Sequence, residues 1–164
     1  MFSTEEENEA GPIVPAGLHL ASFGRRAGGL VVDQLLVSGA VLLGFFIAGY
    51  NPGEAISGSR AIWFSVASAT FGLLYETLPV WRWGRTLGKL LAGTRVVRLE
   101  DGGGLTLTRA FQRSLVPTAL SAVPTVGPLL GIGVYVWAFF DPLRQGVHDK
   151  AAGSLVVAAT RRAP

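Results

Sequence analysis

Apolar residues are concentrated in three long stretches of the chain, separated by polar and basic segments. Residues 34–53 are 20 positions without a charged side chain. Residues 61–80 are another 20, of which only Glu76 is charged, and residues 114–140 are 27 positions without a charge. A membrane core is about 30 Å thick and a helix rises about 1.5 Å per residue, so each of the first two stretches is long enough to cross once. The pattern predicts an all-α integral membrane protein with two full transmembrane helices.

The third stretch is not predicted to form one continuous helix. A single helix of that length would run about 40 Å, which is longer than the membrane core. Prolines and glycines also interrupt it, at Pro117, Pro124, Gly127, Pro128, Gly131 and Gly133. We therefore predict a broken segment, either a kinked helix or, as we favour, a hairpin bent near residues 124–128. Its non-helical backbone must be covered by protein or water, which predicts packing against the first two spans or another subunit.

Composition agrees with this class of protein and excludes several kinds of site. Hydrophobic residues make up 49% of the chain, charged residues make up 15%, and the mean hydropathy is +0.43. The chain has no cysteine, which excludes disulfides, thiol nucleophiles and Cys-ligated metals. With His19 and His148 as the only histidines, and no acid pair at catalytic spacing, we predict no metal, no cofactor and no enzymatic activity.

The distribution of lysine and arginine predicts the orientation in the plasma membrane. Of the 14 basic residues, two precede the first span, Arg60 alone lies near the first loop, seven lie in the connector at residues 81–113, and four follow the third stretch. By the positive-inside rule, the N-terminus and the connector are cytoplasmic. The side of the C-terminal tail depends on the third stretch: a hairpin would place 13 of the 14 basic residues in the cytoplasm, and a single crossing would place nine there.

Local patterns divide the chain further. Residues 1–21 contain four glutamates and no basic residue, which predicts a disordered acidic tail, followed by a membrane domain at residues 22–158 and a short tail at 159–164. In the connector, residues 94–99 alternate like a strand, 101–104 are typical of a turn, and 105–107 predict a returning strand. Thr108 is then expected to cap a helix that starts at Arg109.

A weak internal repeat extends this small cytoplasmic sheet. Residues 89–97 resemble residues 150–157, and each reads as a helix end, a glycine break and a strand. The repeat predicts that residues 155–158 add a third strand to the hairpin.

Three segments carry a family resemblance. Residues 26–33, 84–89 and 144–150 read RAGGLVVD, GRTLGK and RQGVHDK. Together they resemble the RDD family of small bacterial membrane proteins, over roughly residues 21–157. The resemblance places the arginine and two aspartates that name the family on Arg26, Asp33 and Asp149. Ser154 departs from the threonine often found after the last Ala-Gly. For activity, the resemblance implies transport, sodium/proton antiport in some members, and association with larger membrane assemblies in others.

The spacing of the charged residues predicts how they pair. Arg26 and Asp33 are seven residues apart on one helical face, with a rise of about 10.5 Å between them, which is too far for an easy direct bridge. We therefore expect a third group between them. Arg109 and Arg113, four residues apart at the membrane entry of the third segment, are the preferred partners of Asp33. Lys89 and His148 come next.

Each acid has a structural and a functional interpretation. For Asp33 we favour an ion pair that fixes helix register over an ion or proton site, because an unpaired charge within the membrane is costly. Glu76 lies one turn from the predicted cytoplasmic boundary, where interfacial solvation is the simpler role. For Asp149 with His148, a helix-end hydrogen bond is favoured over a proton relay.

Taken together, these residues predict a non-enzymatic component of a membrane transport or assembly system, held together by an Arg/Asp network. The alternative is that the protein is itself a cation/proton antiporter or small-solute transporter that acts as an oligomer. Expected partners are anionic lipid headgroups near the basic connector, and copies of the same chain or other membrane subunits. No nucleic acid is expected.

Overall fold

The computed structural model describes residues 14–50, 58–121 and 126–159. Two long helices come first, α1 (Phe23–Ile47) and α2 (Gly58–Trp83). A short helix and a strand follow, α3 (Leu87–Leu91) and β1 (Thr94–Arg98). The rest comprises α4 (Leu107–Ser121), α5 (Gly127–Val136), a 3-10 turn (Trp137–Phe139), α6 (Val147–Ala151) and β2 (Ser154–Ala158).

The two long helices are suited to a membrane and not to the interior of a soluble protein. They contain 25 and 26 residues, and only 11% and 6% of their most apolar windows are buried. Large apolar side chains such as Leu35, Ile47 and Trp63 are exposed instead. A soluble protein rarely exposes such continuous apolar surface, so these are candidate membrane-spanning helices, as predicted.

The third hydrophobic stretch contains parts of two helices. α4 ends at Ser121, α5 starts at Gly127, and the two helices pack against each other. The glycines of α5 permit this approach, since a Cβ at Gly131 would overlap the Ser121 side chain. The predicted bend at residues 124–128 lies partly outside the described residues.

The small sheet has two strands and not the predicted three. β1 and β2 are antiparallel, with Thr94 opposite Ala158 and Arg98 opposite Ser154. The predicted hairpin was wrong at residues 105–107, because α4 already begins at Leu107. Thr106, and not Thr108, provides the cap: its hydroxyl accepts the Arg109 backbone N–H at 3.3 Å.

The internal repeat is confirmed. α3 and α6 are each followed, two residues after their last helical residue, by a glycine with positive φ, +64° at Gly93 and +58° at Gly153, and each glycine leads directly into a strand. Only glycine adopts this conformation readily, which explains why the helix-glycine-strand pattern was legible in the sequence. The two copies pair with each other through their strands.

The buried core lies between this sheet and the adjoining ends of α1, α2 and α4. Its fully buried members include Ala21, Val80, Val96 and Ala110. Part of the predicted acidic tail also belongs here, because the Ala21 backbone N–H donates to the Val156 carbonyl at 3.0 Å. The four glutamates of that tail lie outside the described residues.

Candidate functional site: a buried chain of ion pairs

Asp33 lies on α1 and is buried, with 7% of its surface exposed. Four donors surround its carboxylate: the Tyr75 hydroxyl at 2.7 Å, the Thr86 hydroxyl at 2.6 Å, the Gly88 backbone N–H at 2.8 Å and the Lys89 ammonium at 3.3 Å. Two donors reach each carboxylate oxygen, so the hydrogen-bonding capacity of the side chain is largely used and its charge is compensated.

The short helix α3 supplies most of these donors because of its local sequence. Thr86 is its N-cap and accepts the Lys89 N–H at 3.4 Å while its own hydroxyl donates to Asp33. Gly88 brings the α3 backbone against α1, where a Cβ would overlap both the Gly29 carbonyl and the Asp33 carboxylate. The GRTLGK segment therefore forms the binding site for the carboxylate of Asp33.

Lys89 joins this group to Glu76 on α2. Its ammonium lies 3.3 Å from Asp33 Oδ2 and 3.1 Å from Glu76 Oε1. The same Glu76 oxygen also accepts a hydrogen bond from Arg113 NH1 on α4. Glu76 is thus held between two cations, and the predicted interfacial solvation was wrong as its main interaction.

Arg113 extends the connection from α4 to α6. Its Nε donates to Asp149 Oδ1 at 2.9 Å, and its NH2 lies 3.2 Å from His148 Nε2. A guanidinium only donates, so the neutral imidazole accepts at this nitrogen. Asp149 also accepts the Gly146 N–H at 3.2 Å, which caps α6. The expected helix-end hydrogen bond of Asp149 is therefore present.

Arg26 lies at the other side of Asp149, with NH1 at 3.7 Å from Oδ2. It also donates to the Arg144 carbonyl, and its NH2 donates to the Val156 carbonyl at 2.8 Å. Arg144 has φ +54°, an uncommon backbone conformation for a residue with a side chain. Arg26 therefore joins α1 to β2 and to the loop before α6.

These contacts form one continuous chain of five ion pairs among six side chains. In order they are Asp33, Lys89, Glu76, Arg113, Asp149 and Arg26. Three are acids and three are bases, so the formal net charge of the group is zero. The chain connects α1, α2, α3, α4 and α6, and such a paired arrangement avoids most of the penalty that isolated buried charges would carry.

Burial and neighbouring charges hold the two α6 groups in definite protonation states. Burial lowers the pKa of His148 to about 4, so its imidazole is neutral at pH 7. Burial opposes ionisation of Asp149, but the charge of His148, which is protonated at the low pH where Asp149 titrates, and the charges of Arg113 and Arg26 outweigh it and lower the Asp149 pKa to about 2. The pair is therefore neutral imidazole beside carboxylate across the physiological pH range.

The sequence predicted the members of this site better than their pairing. Asp33 contacts Lys89 and neither of the preferred arginines. Arg109 instead pairs with Glu100 at 2.8 Å on the exposed surface, and Arg113 is engaged by Glu76 and Asp149. The expected single group between Arg26 and Asp33 was also wrong, because the two are connected only through the longer chain of ion pairs.

Tyr75 and Thr86 were not foreseen as ligands of Asp33. Tyr75 directly precedes Glu76 on α2, but consecutive residues of a helix point about 100° apart, so this position did not predict its contact with Asp33. Thr86 lies three residues before Lys89, which is the spacing between an N-cap residue and the backbone N–H that it accepts. This spacing was the feature of the sequence that could have placed Thr86 at the start of a helix beside Lys89.

A cleft of about 1120 Å³ opens beside the ion pairs, between α1, α2, α4 and α5. Part of its wall is formed by charged residues including Asp33, Glu76 and Lys89. Across the described ranges, no three His, Asp or Glu side chains come together as a metal site would require. The carboxylates at the cleft are engaged by cations of the protein itself.

Comparison with known proteins agrees with this architecture. The RDD family profile matches residues 20–153. The uncharacterized membrane protein YteJ of Bacillus subtilis (strain 168) is 28% identical over 94 residues, which are 57% of this chain and 52% of YteJ. The chain thus spans about half the length of that relative. No solved structure matches. Since the profile covers most of the chain, including all three motif segments that converge on the ion pairs, the protein belongs to the RDD family of membrane proteins.

Proposed function

We propose that the protein is a non-enzymatic component of a membrane transport or assembly system, acting through contacts with copies of itself or with another membrane protein. The observation that carries the proposal is the charge balance of the six-residue chain. Each acid is paired with a base, and Asp33 accepts four hydrogen bonds. Such a group fixes the helices relative to one another and does not readily exchange protons.

The arrangement proposed in the plasma membrane is multi-pass, with the N-terminus, connector and sheet on the cytoplasmic side. The contact between Arg113, which directly precedes the third hydrophobic stretch at residues 114–140, and Asp149, which follows it, supports a third segment that turns back to the side on which it began. Arg82, Arg95 and Trp83 are exposed, and the Arg82 guanidinium lies 5.9 Å from the centroid of the Trp83 ring, which supports contact with anionic headgroups at that face.

The decisive experiment is purification in mild detergent, with the mass of the complex measured and co-purifying proteins identified. The proposal predicts either a defined homo-oligomer or a stoichiometric membrane partner. A protein that is monomeric at membrane-like concentration, and that brings no partner with it, would contradict a role as a component.

The alternative function, a cation/proton antiporter or small-solute transporter acting as an oligomer, is favoured by one observation. The cleft reaches Asp33 and Glu76, and hydroxyl side chains such as Ser38, Ser68 and Thr118 line its walls. A cleft that carries hydroxyl groups on its walls and ends at buried acids is the arrangement expected of a transport pathway.

Flux measurements separate the two functions. Sodium and proton flux into liposomes would be compared for the wild type, Asp33→Asn and Asp101→Asn, the last of which changes an exposed acid paired with Arg98. Transport requires flux in the wild type that survives Asp101→Asn and is lost in folded Asp33→Asn. Absence of flux in all three supports the component function.

A further inference from the structure

Residues of both α1 and α5 line the cleft beside the ion pairs. At the charged end, the rings of Phe23 and Phe139 stack with their centroids 4.2 Å apart. Within the described part of the chain, α1 and α5 form no extensive interface beyond this end, although residues of both line the cleft. The space between these two helices therefore opens sideways, in the direction that lipid would occupy around a spanning protein.

The cleft is polar at one end and mainly apolar along the rest of its length. Glu76 at the charged end precedes Arg82 by six residues on α2, which corresponds to about 9 Å along the helix axis. This is the depth at which headgroups meet acyl chains. Farther from the charged end, the walls carry apolar side chains, among them Val37, Val41 and Ile132. The charged end of the cleft thus lies at the depth of the headgroup of an inner-leaflet lipid, and the apolar walls lie at the depth of its acyl chains.

At the charged end, two polar atoms that are not enclosed by protein have no hydrogen-bond partner among the described residues; Arg26 Nε and His148 Nδ1 also lack a partner, but both are enclosed. Glu76 receives both Lys89 and Arg113 on Oε1, which leaves Oε2 free. The Tyr135 hydroxyl likewise has no partner in the described ranges. Both residues line the cleft, and neither of these two atoms is enclosed by protein. The cleft therefore presents one acceptor and one hydroxyl to any occupant.

We infer that the cleft binds one membrane amphiphile with an uncharged, hydroxyl-bearing head, of the diacylglycerol class. The head hydroxyl donates to Glu76 Oε2 and accepts from the Tyr135 hydroxyl, and an acyl chain lies between α1 and α5. An uncharged head fits best because the six ion-paired residues already sum to zero. An ammonium head would be repelled by the neighbouring Lys89 and Arg113, and a phosphate head would be repelled by the free Glu76 oxygen.

The size of the cleft agrees with this occupant. Pockets for drug-sized ligands are about 300–1,000 Å³, and this cleft of about 1120 Å³ lies just above that range. Its apolar walls would bury hydrocarbon, and its lateral opening would admit a lipid from the bilayer without passage through water.

Photolabelling of the full chain in nanodiscs tests the inference. The probes are diacylglycerol, phosphatidylethanolamine and phosphatidylglycerol, each with the same diazirine-bearing acyl chain, with labelled peptides identified by mass spectrometry. We expect diacylglycerol to label α1 and α5 residues that face the cleft, and unlabelled diacylglycerol to compete. Tyr135→Phe, which removes one hydroxyl and keeps the ring against His148, should weaken this competition roughly two- to tenfold.

Two substitutions on one helix provide the matched comparison. Ser38→Phe places a ring in the cleft and should abolish the competed labelling, whereas Leu35→Phe enlarges an exposed residue outside the cleft and should leave it unchanged. Melting curves confirm that each variant is folded. Equal labelling by all three probes, persistence of competed labelling in Ser38→Phe, or cross-linking of the cleft to a partner protein in place of lipid would overturn the inference.

Discussion

Arg113 is the cation on which the buried chain of ion pairs depends most. It is 2% exposed and contacts Glu76, Asp149 and His148 at the same time. Within the described ranges, replacing it with methionine would leave Asp149 with only the more distant Arg26 as a cation, and would leave Glu76 with Lys89 alone. Removal of one partner from a buried ion pair costs roughly 3–5 kcal/mol, because the remaining charge stays buried.

This cost should be visible in thermal unfolding. For a chain of this size, roughly 3–5 kcal/mol corresponds to a fall of about 6–20 °C in Tm. The assay is a melting curve in one detergent at pH 7.5, followed by intrinsic fluorescence from the four tryptophans. Arg113→Lys should recover only part of the loss, since an ammonium cannot reproduce the fork that reaches three partners.

Arg109 provides a matched control one turn earlier on the same helix. Among the described residues it forms an ion pair only with the exposed Glu100, so Arg109→Met should cost about 0–1 kcal/mol. If Arg113→Met melts within about 2 °C of the wild type, or no lower than Arg109→Met, the reasoning from burial and pairing is refuted.

Three further predictions concern the close contact of α1 with α3, the neutral histidine and the orientation. Gly88→Ala should lower Tm markedly, because a Cβ would overlap the Gly29 carbonyl and the Asp33 carboxylate. Gly104→Ala is the control and should leave Tm nearly unchanged, because a Cβ at Gly104 would meet open space. Equal Tm values for the two variants would rule out the tight contact at Gly88. Burial lowers the pKa of His148 from 6.5 to about 4, so unfolding takes up a proton at pH values between these two. The contribution of the neutral histidine to the free energy of unfolding should therefore be complete above about pH 6.5, and it should fall by roughly 3 kcal/mol toward pH 4. Melting curves across this range should lose most of that slope in His148→Gln and keep it in His19→Gln, and an unchanged slope in His148→Gln would exclude this histidine as its source. Since the chain has no cysteine, Arg95→Cys and Ala48→Cys give clean topology reporters: an impermeant maleimide added to intact cells should label only Ala48→Cys, and the opposite pattern would invert the proposed orientation.

The features that the sequence predicted are those fixed by local chemistry. Length and the absence of charge identified α1 and α2, and the glycines with positive φ at Gly93 and Gly153 marked where each short helix turns into a strand. The three family segments were identified because their glycines, threonine and charged residues are close together along the chain. Each of these signals lies within one continuous segment of the chain.

The features that it missed depend on contacts between distant elements. The pairing of Asp33 with Lys89 follows from the close approach of Gly29 to Gly88, which no helical periodicity encodes. The predicted returning strand at residues 105–107 failed for the same reason. β1 pairs with β2 from the far end of the chain, and Thr106 is left to cap α4. Long-range partners thus overrode a locally plausible hairpin.

A double-mutant cycle between Asp33 and Lys89 tests most directly whether the buried charges act as one paired unit. Melting and denaturant unfolding would be measured for Asp33→Asn, Lys89→Met and the double variant. Since the side chains lie 3.3 Å apart within the same group of ion pairs, the double variant should be more stable than the sum of the single losses implies, by at least about 1 kcal/mol. Losses that add to within about 0.5 kcal/mol would show that the two residues are energetically independent, which would contradict the account.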